Sequence, residues 1–306
     1  MPLISVVIPA HNEGPGLIET VRSILQTRSL SWELEVVVAD DSSEDDSIEA
    51  LCAEFPSLVL TVVSAPERLG VARCRNLAAR AAQGEILFIT DGHVQFCDGW
   101  DNIVRQHAEP SVILAATIND LETTLSGYGC RLVVPFMGTY WNTIPPDGIQ
   151  PVQIASSAGT VLYREAFQKL GGYDEGMQIY GGAEPEFSIR AWLSGLEIRT
   201  IPSLVIGHRF KSEETRNRLN ASRRVFMIHN NLRFGLLYLE EDMILKMIRL
   251  MAWEFPSRVR EAFRMVEASD VFERRLQLER TLAYSFPWFV DRFALKDQAG
   301  EMIVLG

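Results

Sequence analysis

The clearest pattern of secondary structure lies in residues 4–41, ISVVIPAHNEGPGLIETVRSILQTRSLSWELEVVVADD. Two short runs rich in β-branched residues, Ile4–Ile8 and Leu34–Ala39, have the pattern of buried strands. Between them, after the turn residues His11–Gly16, apolar side chains recur at helical spacing: Leu17, Val21, Ile24 and Leu25. This order is typical of parallel strands that are joined by a crossover helix.

The same alternation continues as far as residue 90. It predicts a helix over Ile48–Phe55, a strand over Leu58–Val63, a helix over Gly70–Ala82 and a strand over Ile86–Thr90. We therefore expect an α/β fold with a Rossmann-like, mainly parallel central sheet that is flanked by helices.

The second half of the chain is less regular. Glycines and prolines interrupt residues 110–155, where we expect antiparallel strands and loops. Beyond them the pattern predicts a strand, two helices and a strand, in the order Thr160–Tyr163, Arg164–Lys169, Pro185–Gly195 and Ile198–Ile206. From Arg223 onward apolar residues recur at helical spacing. We expect one domain over residues 1–222 and a helical C-terminal extension, residues 223–306, packed on it.

The C-terminal extension is rich in aromatic residues. These residues are Trp253, Phe255, Phe286, Trp288 and Phe289. We favour a helical layer that covers the core or forms a homo-oligomer, and the alternative is a surface that binds a peptide or lipid acceptor.

Composition limits the possible functions. The chain has 306 residues, 47% of them apolar and 23% charged, and a net charge of −11, which argues against nucleic acid or an anionic membrane as the main partner. Four cysteines without CxxC spacing favour reduced thiols: Cys52, Cys74, Cys97 and Cys130. The start lacks a basic leader region, and no segment reaches the roughly 18 consecutive apolar residues of a membrane span. We expect a cytoplasmic protein without a transmembrane segment.

A possible metal site follows the strand Ile86–Thr90. Asp91 and His93 flank Gly92, and a carboxylate and an imidazole two residues apart at a strand end can reach one divalent ion. The alternative is an aspartate that caps a turn beside a surface histidine. His208 ends another β-rich run and supplies a third ligand for an octahedral Mn²⁺ or Mg²⁺.

Polar residues near neighbouring strand ends suit a nucleoside diphosphate. Asp41 can accept a hydrogen bond from the imide of a pyrimidine, although its loop can equally cap the helix that begins near Ser47. Arg73 and Arg75 precede the metal loop, and a guanidinium can bind two phosphate oxygens at once or pair with an acidic neighbour. Because ligands of open α/β sheets bind beyond the carboxyl ends of the strands, we expect His11, Asp41 and the 91–93 loop to converge.

Longer motifs carry a resemblance to a known family. The runs ISVVIPAHNE (4–13), VVVADDSSEDDS (36–47), GVARCRN (70–76) and AQGEILFITDGH (82–93) resemble the amino-terminal half of family 2 glycosyltransferases of GT-A fold, which bind nucleotide sugars. The central run AGTVLYREAFQKLGGYDEGMQIYGGAEPEFSIRAW (158–192), with IGHRF (206–210) and NNLRFGLLYLEE (230–241), is similar to the catalytic domain of polypeptide N-acetylgalactosaminyltransferases. The likeness covers roughly residues 3–242.

The resemblance implies roles for individual residues. Asp91, His93 and His208 match the metal ligands of the family. The positions that match its nucleotide-sugar site are Pro9, His11, Glu13, Asp41, Arg73, Arg75, Asp91, Gly92 and Gly159. The implied donor is a UDP-sugar, and the implied acceptor is a hydroxyl of a peptide or a small molecule.

One departure from the family bears on the mechanism. After Gly181-Gly182 the family has glutamate and then asparagine or aspartate, whereas this chain has Ala183 and then Glu184. An inverting transferase needs a base within hydrogen-bond reach of the acceptor, so we favour Glu184, with Glu186 as the second candidate, as the base of an inverting displacement. The alternative is that Glu184 only places charge at a helix start beside Pro185.

Three functions are compatible with this sequence. The first is a metal-dependent glycosyltransferase, in which the polar segment Ser212–Asn220 forms a loop that orders over the donor. The second is a non-catalytic binder of nucleotide sugars, or a scaffold, of the same fold. The third, a nicotinamide oxidoreductase, is disfavoured because no GxGxxG turn follows the first strand.

Overall fold

The computed structural model describes residues 3–29, 33–55, 59–297 and 300–303. The strands are β1 (Ile4–Ala10), β2 (Leu34–Asp40), β3 (Leu60–Ser64), β4 (Ile86–Ile89), β5 (Val94–Phe96), β6 (Val112–Asp120), β7 (Ser126–Gly127), β8 (Cys130–Val133), β9 (Gly138–Trp141), β10 (Gln150–Pro151), β11 (Thr160–Tyr163) and β12 (Glu197–His208). The helices are α1 (Pro15–Thr27), α2 (Ser47–Glu54), α3 (Val71–Ala81), α4 (Trp100–His107), α5 (Arg164–Leu170), α6 (Ala183–Leu193), α7 (Glu213–Tyr238), α8 (Glu241–Glu254), α9 (Val259–Glu267), α10 (Val271–Thr281) and α11 (Phe286–Phe293).

The central sheet is mainly parallel. Its order is β10-β12-β6-β11-β4-β1-β2-β3, with β5 on β12 and β7 on β6. Strands β3, β2, β1 and β4 pair in parallel, as do β6 and β12, while β11 runs antiparallel between β4 and β6. The strand ends that precede the acidic loops therefore lie along one edge of the sheet.

Successive side chains along a strand point into two different apolar cores, one on each face of the sheet. Along β1, Val7 joins one apolar cluster, while Val6 and Ile8 join the other, as the two-residue period of a strand requires. Leu17 of α1 and Trp100 of α4 cover the second face. The first face is covered by α3, α6 and the C-terminal helices.

Most predicted elements are confirmed. The predicted strand Leu58–Val63 begins at Leu58, which lies outside the described residues, and its described part is β3. Residues 110–155 contain the antiparallel hairpin of β8 and β9, but also β6, a long buried strand that pairs in parallel with β12. The buried run of β6 reads as continuous apolar sequence because both of its faces are covered.

The C-terminal helices pack on the domain core. Met247, Met251 and Phe289 are fully buried there, which fits the predicted core-covering layer, whereas Trp253 is 86% exposed. The predicted boundary between residues 222 and 223 falls inside α7, so the division into two regions stays a prediction. Among the described helices, none combines the length and the apolar character that a bilayer span requires.

Candidate functional site

A cavity of about 460 Å³ opens beyond the carboxyl ends of β1, β2 and β4. Its lining contains most of the residues that the sequence nominated: Pro9, His11, Glu13, Asp41, Arg75, Asp91, Gly92, His93, Glu184 and His208. The convergence follows from topology, because β1, β2 and β4 are parallel neighbours and end at the same edge.

The metal ligands proposed from the sequence lie together. Ligand atoms of Asp91, His93 and His208 all lie within 4.8 Å of one another. Pairing of β5 with the end of β12 sets His208 opposite Val94, which brings the two imidazole rings to a centroid distance of 4.8 Å. One carboxylate and two imidazoles form a donor set that Mn²⁺ accepts, so the residues fit the expected ion.

The histidine His93 is oriented by a second carboxylate. Its Nδ1 lies 2.8 Å from Oε2 of Glu13, which leaves Nε2 free of that contact. Burial lowers the pKa of His93, but the hydrogen bond and charge of Glu13 outweigh it, and the pKa lies above its ordinary value. Glu13 therefore acts as the carboxylate that fixes a ligand imidazole, an arrangement common around protein-bound metals.

The buried guanidinium of Arg75 joins two carboxylates. It donates to Oδ1 of Asp91 at 3.0 Å and to Oε1 of Glu184 at 2.6 Å. Ser157 and His208 contact the other oxygen of Asp91 at 3.1 and 3.5 Å. Burial would raise the pKa of Asp91, but His208 and Arg75 hold it well below its ordinary value. Asp91 is thus a stable anion that can bind a cation.

A second group of contacts in the cavity lining surrounds Asp41. Its carboxylate accepts backbone hydrogen bonds from Leu69 at 2.6 Å and Gly70 at 3.0 Å, and Nε of Arg68 lies 3.1 Å away. Burial raises the pKa of Asp41 above its ordinary value despite these bonds. Nδ1 of His11 lies 2.9 Å from the Asp41 carbonyl oxygen. Much of the Asp41 carboxylate is therefore used to fix the loop before α3.

The segment Ser212–Asn220 is a helix, not the predicted loop. It forms the first turns of α7, where the Ser212 hydroxyl accepts a hydrogen bond from the Thr215 backbone at 3.3 Å. A serine cap followed by Glu213 and Glu214 is a helix-start signal that was present in the sequence. The prediction of a loop was wrong because the polar composition was given more weight than this cap.

Further cationic residues line the same cavity, and of these only Arg216 lies in the segment Ser212–Asn220 that the sequence had placed over the donor. Lys211 precedes α7 and Arg216 and Arg223 belong to it, and among the described residues none of these side chains forms an ion pair with a carboxylate. Arg68 also lines the cavity, and its Nη1 is buried without a hydrogen-bond partner in the described structure. In the sequence these residues look like ordinary surface charges.

Two residues that the sequence nominated for the donor site lie outside the cavity lining, Arg73 and Gly159. Nε of Arg73 donates to the backbone carbonyl of Glu175 at 2.6 Å, on the side of α3 away from Arg75. A Cβ on Gly159 would lie 2.4 Å from the Cβ of Ala116, so this glycine allows strand packing. Their predicted contacts with the donor are not supported by these positions.

The carboxylate of Glu186 is also away from the cavity. It is fully buried, accepts hydrogen bonds from Nε and Nη2 of Arg190 at 2.8 and 2.9 Å, and accepts another from the Tyr238 hydroxyl at 2.7 Å. A carboxylate so enclosed cannot reach an acceptor hydroxyl, so Glu186 is withdrawn as a candidate base. Glu184, with a side chain that is 24% exposed, faces the cavity.

Comparisons with known proteins agree with this arrangement. Residues 5–125 match the model for glycosyl transferase family 2, and residues 154–215 match the model described as the N-terminal domain of galactosyltransferase. Polypeptide N-acetylgalactosaminyltransferase 12 of Mus musculus is 29% identical over 317 residues, which cover 95% of this chain and 51% of that protein. Polypeptide N-acetylgalactosaminyltransferase 6 of Homo sapiens is 28% identical over 233 residues, which cover 68% of this chain and 38% of that protein. The chain thus spans about half or less of the length of these relatives.

Solved structures show the same fold. GalNAc-T7, crystallised with UDP, GalNAc and Mn²⁺, superposes with a TM-score of 0.74 at 19% identity, covering 96% of this chain and 57% of the other. The mannosyltransferase PcManGT from Pyrobaculum calidifontis, in complex with GDP-Man and Mn²⁺, gives a TM-score of 0.58 at 21% identity, covering 88% and 76%. The predicted GT-A fold, with its helical C-terminal extension, is confirmed. So is the resemblance to family 2 and to the polypeptide N-acetylgalactosaminyltransferases.

Proposed function

We propose that this chain is a metal-dependent glycosyltransferase that moves a sugar from a UDP-sugar to a hydroxyl acceptor. The observation that supports it most is the cluster of Asp91, His93 and His208 at one cavity with Asp41 and Arg75. The similarity to N-acetylgalactosaminyltransferases, and a neighbour of the same fold that was solved with UDP and Mn²⁺, favour the same reaction class.

The proposed cofactor is Mn²⁺, or Mg²⁺, held by Asp91, His93 and His208. When bound, such an ion neutralises negative charge on a departing nucleoside diphosphate. The chain's own cations, Lys211 and Arg216, lie around the same cavity and add positive charge at fixed positions before the reaction begins.

We propose Glu184 as the base of an inverting displacement. Arg75 holds its Oε1, while Oε2 has no hydrogen bond among the described residues and is available to an acceptor proton. Proton NMR of the anomeric centre of the product tests this role, because an inverting reaction on an α-linked donor yields a β-linked product. An α-linked product would contradict it.

The acceptor is proposed to be a hydroxyl of a peptide or of a small molecule. The homo-oligomer through the C-terminal helices and the cytoplasmic location stay predictions. The scaffold alternative is favoured by the missing first carboxylate at Ala183. It requires UDP binding without any release of UDP from donor sugars.

Calorimetric titration of UDP, in the presence of Mn²⁺ and then of a chelator, tests the donor site. We expect binding that requires the metal and is lost in His208→Ala. His107→Ala is the matched control, since His107 ends α4 and does not line the cavity. Absence of UDP binding by the wild-type chain under both conditions would overturn the proposal.

A further inference from the structure

The loop over residues 174–182 brings Tyr180 to the cavity and leads directly to Glu184 at the start of α6. Its backbone is strained, because Ile179 has a φ of 29°. A β-branched residue in this region costs of the order of 1–3 kcal/mol and persists only where its surroundings impose it. Contacts from outside the loop must therefore hold its conformation.

The start of the loop is fixed by Arg233 of α7. Its Nε and Nη2 donate to the two oxygens of Asp174 at 2.7 and 2.9 Å, and both side chains are buried. The backbone at Gly176 lies directly against this guanidinium, since a Cβ there would be 2.0 Å from its central carbon. The ion pair is thus an anchor for residues 174–176.

The end of the loop is fixed by Asn230, which is fully buried. Its Nδ2 donates to the carbonyl oxygens of Gln178, Tyr180 and Gly181 at 2.7, 3.2 and 2.7 Å. Its Oδ1 accepts from the Gln178 backbone at 2.7 Å and lies 2.8 Å from Nδ1 of His229. The polar atoms of this one side chain are therefore all engaged in hydrogen bonds to the loop and to the adjacent His229.

The loop is enclosed from the other side by α3. The backbone N–H of Val71 donates to the carbonyl oxygen of Ile179 at 2.9 Å, and a Cβ on Gly70 would lie 2.4 Å from the Ile179 Cα. Asn230 and Arg233 are three residues apart and so share one face of α7. The loop is therefore held between this face and the start of α3.

We propose that Asn230 is a positioning residue for the sugar-transfer step. It does not line the cavity, and it acts through its bonds to the backbone of residues 178–181, which fix Tyr180 at the cavity and the approach to α6, where Glu184 lies. This inference rests on the proposed function. Because Arg233 anchors the start of the loop independently, loss of Asn230 releases the end of the loop and leaves the rest docked.

The test compares Asn230→Asp with Asn102→Asp. The first change keeps the shape of the side chain but turns an oxygen towards three carbonyl oxygens. The second makes the same substitution at an exposed position of α4 that does not line the cavity, where the described structure shows no side-chain hydrogen bond. For each variant, UDP affinity is measured by calorimetry with Mn²⁺, and kcat is measured as release of UDP from UDP-sugars. Asn230→Ser removes the same bonds without adding charge, in case Asn230→Asp does not fold.

We expect Asn230→Asp and Asn230→Ser to keep the UDP affinity of the wild type and to lose about tenfold to a hundredfold in kcat, because small displacements of a reacting group have effects of that size. Asn102→Asp should change neither quantity. An unchanged kcat in the Asn230 variants, an equal loss in Asn102→Asp, or a parallel loss of UDP affinity and kcat would overturn the inference. A wild-type chain that binds no UDP would instead refute the proposed function itself.

Discussion

The carboxylates of Glu184 and Glu186 lie two residues apart on one helix, yet we predict that loss of Glu186 lowers stability whereas loss of Glu184 lowers activity. Glu186→Gln replaces one acceptor oxygen by an amide nitrogen that faces the buried guanidinium of Arg190. The wild-type carboxylate binds two nitrogens of Arg190 and the hydroxyl of Tyr238, with no exposed surface. The cation of Arg190 would then remain buried without a carboxylate in contact with it.

The expected cost of Glu186→Gln follows from this geometry. Breaking a buried, hydrogen-bonded ion pair by removal of one partner costs about 3–5 kcal/mol. This is a large part of the roughly 5–15 kcal/mol that stabilises a typical folded domain. By contrast, in Glu184→Gln the buried Arg75 keeps Asp91 as its second carboxylate, so the loss is about 1–2 kcal/mol.

Urea denaturation followed by circular dichroism measures the loss of stability, and release of UDP from a donor sugar measures the loss of turnover. We expect Glu186→Gln to shift the urea midpoint strongly. In Glu184→Gln the shift should be small, while turnover should fall about 10²- to 10⁴-fold, the range typical of a lost general base. A Glu186→Gln variant that is as stable as wild type but inactive would contradict the structural role of Glu186, and an active Glu184→Gln variant would contradict the role of Glu184 as base.

Three further variants test the structure at other points. Arg73→Ala should leave UDP affinity in calorimetry unchanged, since Arg73 bonds a surface backbone carbonyl; a large loss would contradict this. Gly159→Ala should lower the free energy of unfolding by about 1–3 kcal/mol in urea denaturation, because its Cβ would meet Ala116 at 2.4 Å, and wild-type stability would show that the packing is looser than described. Burial lowers the pKa of His229 in the folded chain. Below about pH 6.5 the unfolded chain therefore binds a proton that the folded chain does not, and the free energy of unfolding decreases as the pH is lowered. His229→Gln should reduce this slope between pH 7 and 5.5, and identical slopes would contradict the neutral, buried state.

The sequence predicted the parts of the fold that depend on local periodicity. The βαβ units through Ile89 follow from the spacing of apolar residues, and parallel strands end at one edge, so Asp91 and His93 were expected beside Asp41. The place of His208 required more, because only the pairing of β12 with β5 brings it to His93. Its position at the end of a β-rich run nominated His208 as a ligand, but that position did not show the pairing of the two strands.

The other differences concern which side of a helix faces the cavity. Residues two apart on a helix do not share a face, so only Arg75 of the pair Arg73 and Arg75, and only Glu184 of the candidate bases Glu184 and Glu186, line the cavity. The sequence alone could not say which member of each pair is turned inward. That choice depends on how α3 and α6 pack on the sheet, which is a tertiary property.

Release of UDP from a panel of UDP-sugars, with Mn²⁺ or with chelator, by wild type and His208→Ala tests the metal-dependent transferase activity itself. We expect metal-dependent release by the wild type from at least one donor, and none by the variant. Release that persists in chelator, or in His208→Ala with Mn²⁺ present, would contradict a site built on Asp91, His93 and His208.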